Sequence, residues 1–212
     1  MSESMPGATR DRIVSEASRL FAAQGIKATT VAQIETAVGL RKGSGGVHRY
    51  FATKDDLVEE VFARQLQRGR DILAEAEALP VPDPANLSPY VTALGAKILT
   101  DAEHGRDVSL IMLREAANLP EKVRRHLIDN DAIAYGAMAN ALRAQMNAQQ
   151  IEEFDPEALA FLFVGSMIFY KMSDWLTGEP KLAITEDRLL RTWVNVFSPV
   201  LAGLLREAPG TG

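Results

Sequence analysis

The sequence predicts an all-α protein of about nine helices, with a three-helix helix-turn-helix head and a larger helical body. Three observations carry that prediction. Apolar residues recur at helical spacing from Arg10 almost to the end, and no stretch alternates convincingly as a strand would. Start and stop signals divide the chain: Thr30, Thr53, Ser88 and Asp155 sit as caps, and Gly25, Gly39, Gly105 and Gly178 as breaks. Positive charge is concentrated near the amino end. From Arg10 to Lys54 there are eight cations against three anions, a net +5, which leaves −10 for the rest of a chain whose total is −5.

The elements follow in order. Residues 1–9 are small and polar and are expected to form a disordered arm. Ile13, Ala17, Leu20 and Phe21 then share one helical face, and Gly25 stops the run. Thr30 with Gln33 makes a capping box for a second helix, whose apolar side is Val31, Ile34 and Val38 and which Gly39 breaks. Val47 and Phe51 anchor a third. Inside a helix Gly43, Gly45 and Gly46 would each cost about 1 kcal/mol relative to Ala. Residues 41–44 are therefore expected to be an extended turn, with a short helix starting near Ser44 or Gly45. Thr53 with Asp56 caps a long helix that reaches about Leu79, where Pro80, Pro82 and Pro84 end it. Ser88-Pro89 opens a helix to about Glu103, and Gly105 separates it from one over 108–117. A long helix is expected from Pro120 to about Gln150, another from Asp155-Pro156 to Gly178, and a last one from Thr185 to Glu207, kinked at Pro199. The expected division is a head at 10–55, a body at 56–207 and a tail at 208–212.

Composition narrows the function. With 212 residues and 47% apolar content the chain can build a core. It has no Cys, so disulfides, thiol chemistry and zinc-finger sites are excluded. No signal peptide is visible and no spanning helix is expected, so a cytoplasmic location without a membrane partner is the reading. A basic head on an acidic body can grip a polyanion locally while its bulk charge limits unspecific association.

A recognition helix fits the major groove and displays side chains to base edges. Arg41, Lys42 and Arg49 are the natural cations for that task, and His48 can reach a base edge or a phosphate. Thr29, Thr30, Ser44, Tyr50 and Lys54 are candidates for backbone phosphates. A solvated face with three cations near a turn remains the bland alternative on these grounds.

The head resembles the TetR family of bacterial regulators. The matching pieces are Ile13, Ala17, Leu20-Phe21 and Gly25, then Ala28-Thr29-Thr30-Val31 with Ile34, then Ala37-Val38-Gly39-Leu40. They continue with Lys42-Gly43, His48-Arg49-Tyr50-Phe51 and Thr53-Lys54 with Leu57. The segment between Gly39 and Phe51 is two residues longer than the commonest pattern, and His48 stands where an aromatic is usual. The resemblance implies a homodimer on a near-palindromic double-stranded DNA operator, acting as a repressor. It also implies a cavity for a small-molecule effector that controls the separation of the two heads.

In the body, Phe62, Leu66, Met112, Tyr135, Met138, Phe163, Met167 and Tyr170 are candidate pocket residues for a mostly apolar effector, against the alternative that they fill the core. The last two helices are candidates for a dimeric four-helix bundle. Phe161, Val164, Gly165 and Ile168 would serve on one, and Leu189, Trp193, Phe197, Val200, Leu201 and Leu204 on the other. A catalytic reading finds little to stand on. Asp101, Glu103, His104 and Asp107 cluster at a helix end without a converging ligand set. No catalytic residue, metal ligand or cofactor is expected.

Overall fold

The computed structural model describes residues 6–43, 45–77, 83 and 86–206. Among these residues there are nine α-helices and no strand. They are α1 (Pro6–Gln24), α2 (Val31–Ala37), α3 (Lys54–Glu77), α4 (Ser88–His104), α5 (Arg106–Glu115), α6 (Glu121–Arg143), α7 (Ala148–Glu153), α8 (Pro156–Thr177) and α9 (Glu186–Arg206). Short 3-10 turns cover Val47–Arg49, Ala116–Asn118 and Lys181–Ala183.

The nine are not the expected nine. The third helix of the head is reduced to the 3-10 turn Val47–Arg49, because Gly43 (φ +70°) and Gly45 (φ +67°) hold left-handed conformations that no right-handed helix can include. The helix expected over 120–150 divides instead. Asn147 caps α7 in a reciprocal box with Gln150, a start signal that lay unread in the sequence. α1 begins at Pro6, four residues ahead of the expected arm boundary, since proline at a first helical turn sacrifices no hydrogen bond. Residues 1–5, the proline segment 78–82 with 84–85, and the tail from 207 lie outside the described residues.

Local chemistry sets most other boundaries. Thr53 Oγ1 accepts the Asp56 N–H at 3.1 Å and Asp56 Oδ2 accepts the Thr53 N–H at 2.9 Å, closing the box that starts α3. Asp155 accepts the Glu157 and Ala158 N–H groups ahead of Pro156 and so starts α8, and Gly178 ends it at φ +72°. α9 runs on through Pro199, which is exposed. The carbonyl that loses its donor there belongs to exposed Asn195 and is free to take water.

The chain forms two compact units. One comprises Met1–Arg68 with Gly105–Asn130, the other Gly69–His104 with Asp131–Gly212. The expected head boundary at residue 55 coincides with neither: the head unit runs further along α3 and takes in α5, which packs on α1. Its core includes Ile13, Ala17, Phe21, Ile34, Val38, Val47, Phe51, Leu57 and Ile111. Full burial of each large aliphatic or aromatic side chain contributes about 1.5–3 kcal/mol.

The second unit packs α4 against α8 and α9. Its core holds Phe163, Trp193 and Phe197 as a ring cluster, with Phe163–Trp193 centroids 4.2 Å apart and Phe163–Phe197 centroids 4.8 Å apart. Trp193 Nε1 donates to the Phe163 carbonyl at 3.1 Å, so the indole satisfies its polar atom inside the core. Lys171, on α8, is buried between Glu103 and Glu186, with 2.7 Å to each carboxylate. Burial works to lower its pKa, and the two carboxylates more than reverse that, leaving the ammonium favoured.

Against the sequence reading, α8 is long and apolar enough to cross a membrane by length and composition. Its inner face packs Ala160, Phe163, Val164 and Met167 into the core.

Close approach of α4 to α9 rests on Gly95, where an added Cβ would stand 2.6 Å from Leu190 Cδ1 and 2.9 Å from Trp193 Cζ3. Gly95→Ala should destabilise the protein by about 1–3 kcal/mol in denaturant unfolding. Gly136→Ala, in α6 with nothing within 4 Å of the new methyl, should stabilise by about 0.5–1 kcal/mol.

Candidate nucleic-acid interface

α2 and the segment after it form the head's distinctive surface. α2 is only seven residues long, and Thr30 caps it as expected: Thr30 Oγ1 accepts the Gln33 N–H at 3.3 Å, and Gln33 Oε1 accepts the Thr30 N–H at 2.8 Å. It ends in a Schellman motif. The Leu40 N–H donates to the Glu35 carbonyl at 2.8 Å and the Gly39 N–H to the Thr36 carbonyl at 3.1 Å, with Gly39 at φ +75°. Arg12, from α1, donates to the Val38 carbonyl and so holds the same end of α2.

From this end the chain enters the glycine turn and returns through Val47 and Phe51, both buried in the core. A side chain that sequence reasoning passed over organises the turn. Glu35 is 1% exposed, and its carboxylate accepts the Gly43 N–H at 2.6 Å and the Gly46 N–H at 2.7 Å. It stood in the sequence as one of three anions among eight cations, with no spacing signal to mark it.

The candidate DNA residues divide by position. Arg41, Lys42, His48 and Arg49 are exposed, and Tyr50 is half-buried against the head core. Arg41, Lys42 and Arg49 have no ion-pair partner among the described residues. By contrast Arg10 pairs with Glu60 at 2.5 Å and Arg19 with Glu16 at 2.9 Å. The uncommitted cations of the recognition segment therefore face solvent, where a polyanion can meet them. His48 Nδ1 lies 3.2 Å from the Ala52 carbonyl, leaving the other ring nitrogen for a ligand. Ser44 lies outside the described residues.

Two of the candidates are engaged within the protein itself. Thr29 is 0% exposed, and its hydroxyl donates to the Gly25 carbonyl at 2.8 Å and accepts from Gln24 Nε2 at 3.1 Å. It ties α1 to α2 rather than reaching a phosphate. Lys54 Nζ donates to the Ile26 carbonyl at 2.9 Å and the Thr29 carbonyl at 3.2 Å, so its charge braces the same turn from α3. Both residues are held by turn geometry, which a linear spacing pattern does not display.

Residues 13–61 match the model of bacterial regulatory proteins, tetR family. Over those residues the head carries the sequence pattern of the tetR family. A curated relative, the HTH-type transcriptional repressor KstR2 of Mycolicibacterium smegmatis, is 40% identical over 58 residues. That match spans 27% of this chain and 27% of the repressor, about a quarter of its length. Whole-chain likeness lies in the fold. A TetR-like regulator from Rhodococcus sp. RHA1 superposes with a TM-score of 0.66 at 19% identity, covering 95% of this chain and 100% of that one. A TetR regulator from Legionella pneumophila gives 0.66 at 15% identity, covering 95% and 99%. AibR, solved in complex with isovaleryl coenzyme A and operator DNA, gives 0.65 at 18% identity, covering 89% and 97%.

The body residues sort differently from expectation. Phe62 and Met112 pack into the head core, and Leu66 is buried on the same unit's stretch of α3. Phe163 and Met167 fill the body core, with Tyr135, Met138 and Tyr170 partly buried against it. Three of the eight thus belong to the head unit and five to the body unit. The body carries an open groove of about 350 Å³ lined by Thr92, Asp187, Leu190, Arg191, Val194 and Asn195, none of them on the expected list. Of the expected dimer residues, Val164, Trp193 and Leu204 are buried in the subunit's own core. Ile168, Leu189, Phe197, Val200 and Leu201 are partly buried against it. Gly165 is half-buried, and only Phe161 stands fully outward, at 62% exposure. The outward stripe of α8 is Leu162 (61%), Phe169 (70%) and Leu176 (61%), spaced by seven residues on one helical face. Helical spacing alone could not tell this face from the inner one, because α8 is apolar on both.

The head also contains an acid-sensitive network. Glu60 accepts from Arg10 at 2.5 Å and from Arg64 at 3.3 Å, and Arg64 reaches Asp11 at 2.6 Å. The Arg10 hydrogen bond, with Arg64 behind it, holds the Glu60 carboxyl below its ordinary value of 4.5. A carboxyl depressed on folding stabilises the fold above its unfolded pKa and loses that contribution as pH falls through the folded one. Below about pH 4.5, wild-type stability should therefore fall more steeply than that of Glu60→Gln. Urea midpoints measured between pH 6 and 3 check this, and parallel curves would count against it.

Proposed function

We propose that this chain is a ligand-responsive transcriptional regulator, a repressor that binds a near-palindromic operator as a homodimer and is released by a small, mostly apolar effector. The observation that carries the reading is the exposed, uncommitted set Arg41, Lys42 and Arg49 on a turn braced to a TetR-family helix-turn-helix. Phosphate contact by these cations supplies affinity, and His48 with the half-buried Tyr50 supplies groove contacts. The location that fits is cytoplasmic, where the operator is.

Dimerisation is supported by the α8 stripe. Leu162, Phe169 and Leu176 with Phe161 leave a run of large apolar side chains in water, of the kind that marks a protein interface. Val196 of α9 adds to the exposed apolar surface at 54%. Two heads joined through such a contact would read two half-sites. The same stripe, rather than a bilayer, accounts for the high apolar content of α8, because a spanning helix would leave its charged Lys171 to be neutralised in lipid.

The effector reading rests on the all-helical body, and AibR, of similar fold, was solved with a small-molecule ligand, isovaleryl coenzyme A. An effector lowers operator affinity only if it binds the DNA-incompetent form better than the competent one. A candidate is excluded as inducer when saturating amounts leave operator affinity unchanged.

Band shifts with the chain's own upstream region, titrated with salt, test the DNA reading. Arg41→Ala and Arg49→Ala should each weaken binding across sequences and reduce the slope of log affinity against log salt by about one. Equal slopes in wild type and variants would remove these cations from the interface. Sedimentation equilibrium tests the dimer: wild type should sediment as a dimer and Phe169→Glu as a monomer with unchanged helicity.

A further inference from the structure

We infer that Glu35 is the specificity-positioning residue of the head: its buried carboxylate substitutes for helical hydrogen bonding and fixes the shape in which the recognition segment meets base edges. This inference deepens the DNA-binding reading and rests on it.

A recognition helix ordinarily holds its side chains in register through its own backbone ladder. Among the described residues this head has no such ladder between Gly39 and Val47. The chain there makes left-handed steps at Gly39, Gly43 and Gly45, and each is conformationally free in the unfolded protein. Something must select one path. Glu35 supplies two links from one side chain, to the N–H groups of Gly43 and Gly46 at 2.6 and 2.7 Å. Its own backbone carbonyl adds a third, to Leu40 at 2.8 Å. One residue of α2 thus anchors the start, middle and end of the turn that presents Arg41 and Lys42 and leads into His48 and Arg49.

The charge of Glu35 makes a non-functional explanation expensive. A carboxylate in a DNA-binding face repels phosphates and costs desolvation when buried. The arrangement is tolerable because both carboxylate oxygens are consumed by N–H donors and the residue is 1% exposed. A glutamine of the same shape cannot do this. It has one acceptor oxygen, and its NH₂ would confront the second N–H donor. Glu35→Gln should therefore release one of the two links while preserving volume and the α2 backbone.

The test uses the full chain and two duplexes: one enriched by the wild-type protein from a random-sequence pool, and one of the same composition in scrambled order. For Glu35→Gln, affinity for the enriched duplex should fall by about tenfold or more, as expected for loss of one well-placed base contact. Affinity for the scrambled duplex should change by less than about twofold, because Arg41, Lys42 and Arg49 still supply the phosphate term. A pool enriched by the variant should show weaker base preferences. Equal ratios of enriched to scrambled affinity in wild type and variant would overturn the inference, and so would a parallel loss on both duplexes, which reports stability alone. If the variant does not fold, amide exchange in the wild type decides: the Gly43 and Gly46 N–H groups should be strongly protected, and exchange at free-peptide rates would overturn the inference. A wild type with no sequence preference would sink the regulator reading instead, while the exchange measurement would still judge the role of Glu35 in the turn.

Discussion

Everything the head presents to solvent depends on a constraint beneath it, the burial of Val47 and Phe51 in one core with Ile13, Phe21, Ile34 and Leu57. A seven-residue helix followed by a glycine turn cannot persist alone, since helix nucleation is unfavourable and each glycine adds conformational freedom. The core supplies the free energy that local structure lacks. Three polar braces then point outward burial in one direction: Thr29 closes the α1–α2 turn, Lys54 ties that turn to α3, and Arg12 holds the end of α2. Two of these three residues looked like DNA contacts in the sequence, and each serves the same surface from behind.

What could be read in advance was what short-range chemistry determines. The capping boxes at Thr30 and Thr53, the Asp155-Pro156 start and the glycine stops at Gly25, Gly39 and Gly178 all sit within four residues of what they control. The penalty of three glycines in a would-be helix was also legible, though not its full result, which is a 3-10 turn of three residues. Glu35 was not legible, because its partners are eight and eleven residues away and lie on a path with no regular period. Residue burial on α8 was illegible for a different reason: apolar side chains on both faces erase the amphipathic signal that would separate core from contact surface.

The body keeps its polar atoms inside its packing. Trp193 is satisfied by a main-chain carbonyl, and Lys171 is held by two acids from different helices. The lysine is buried but both carboxylates are about half exposed, so water screens the pairs and their Coulomb gain is modest. Their effect is to specify which turn of α8 lies beside the end of α4 and the start of α9. The Glu103 carboxylate, which sequence reading considered for a metal, is occupied in that role.

At Gly43 and Gly45 there is open space where a side chain would project, so the restriction on them comes from backbone angle and not from crowding. Retargeting such a head to another duplex is then a matter of redecorating a fixed frame. Positions 41, 42 and 49, with no ion-pair partner among the described residues, are free to vary in chemistry, whereas a side chain at either glycine would strain its left-handed backbone without meeting a clash. Libraries built on that division would sample new base preferences without discarding most members to misfolding.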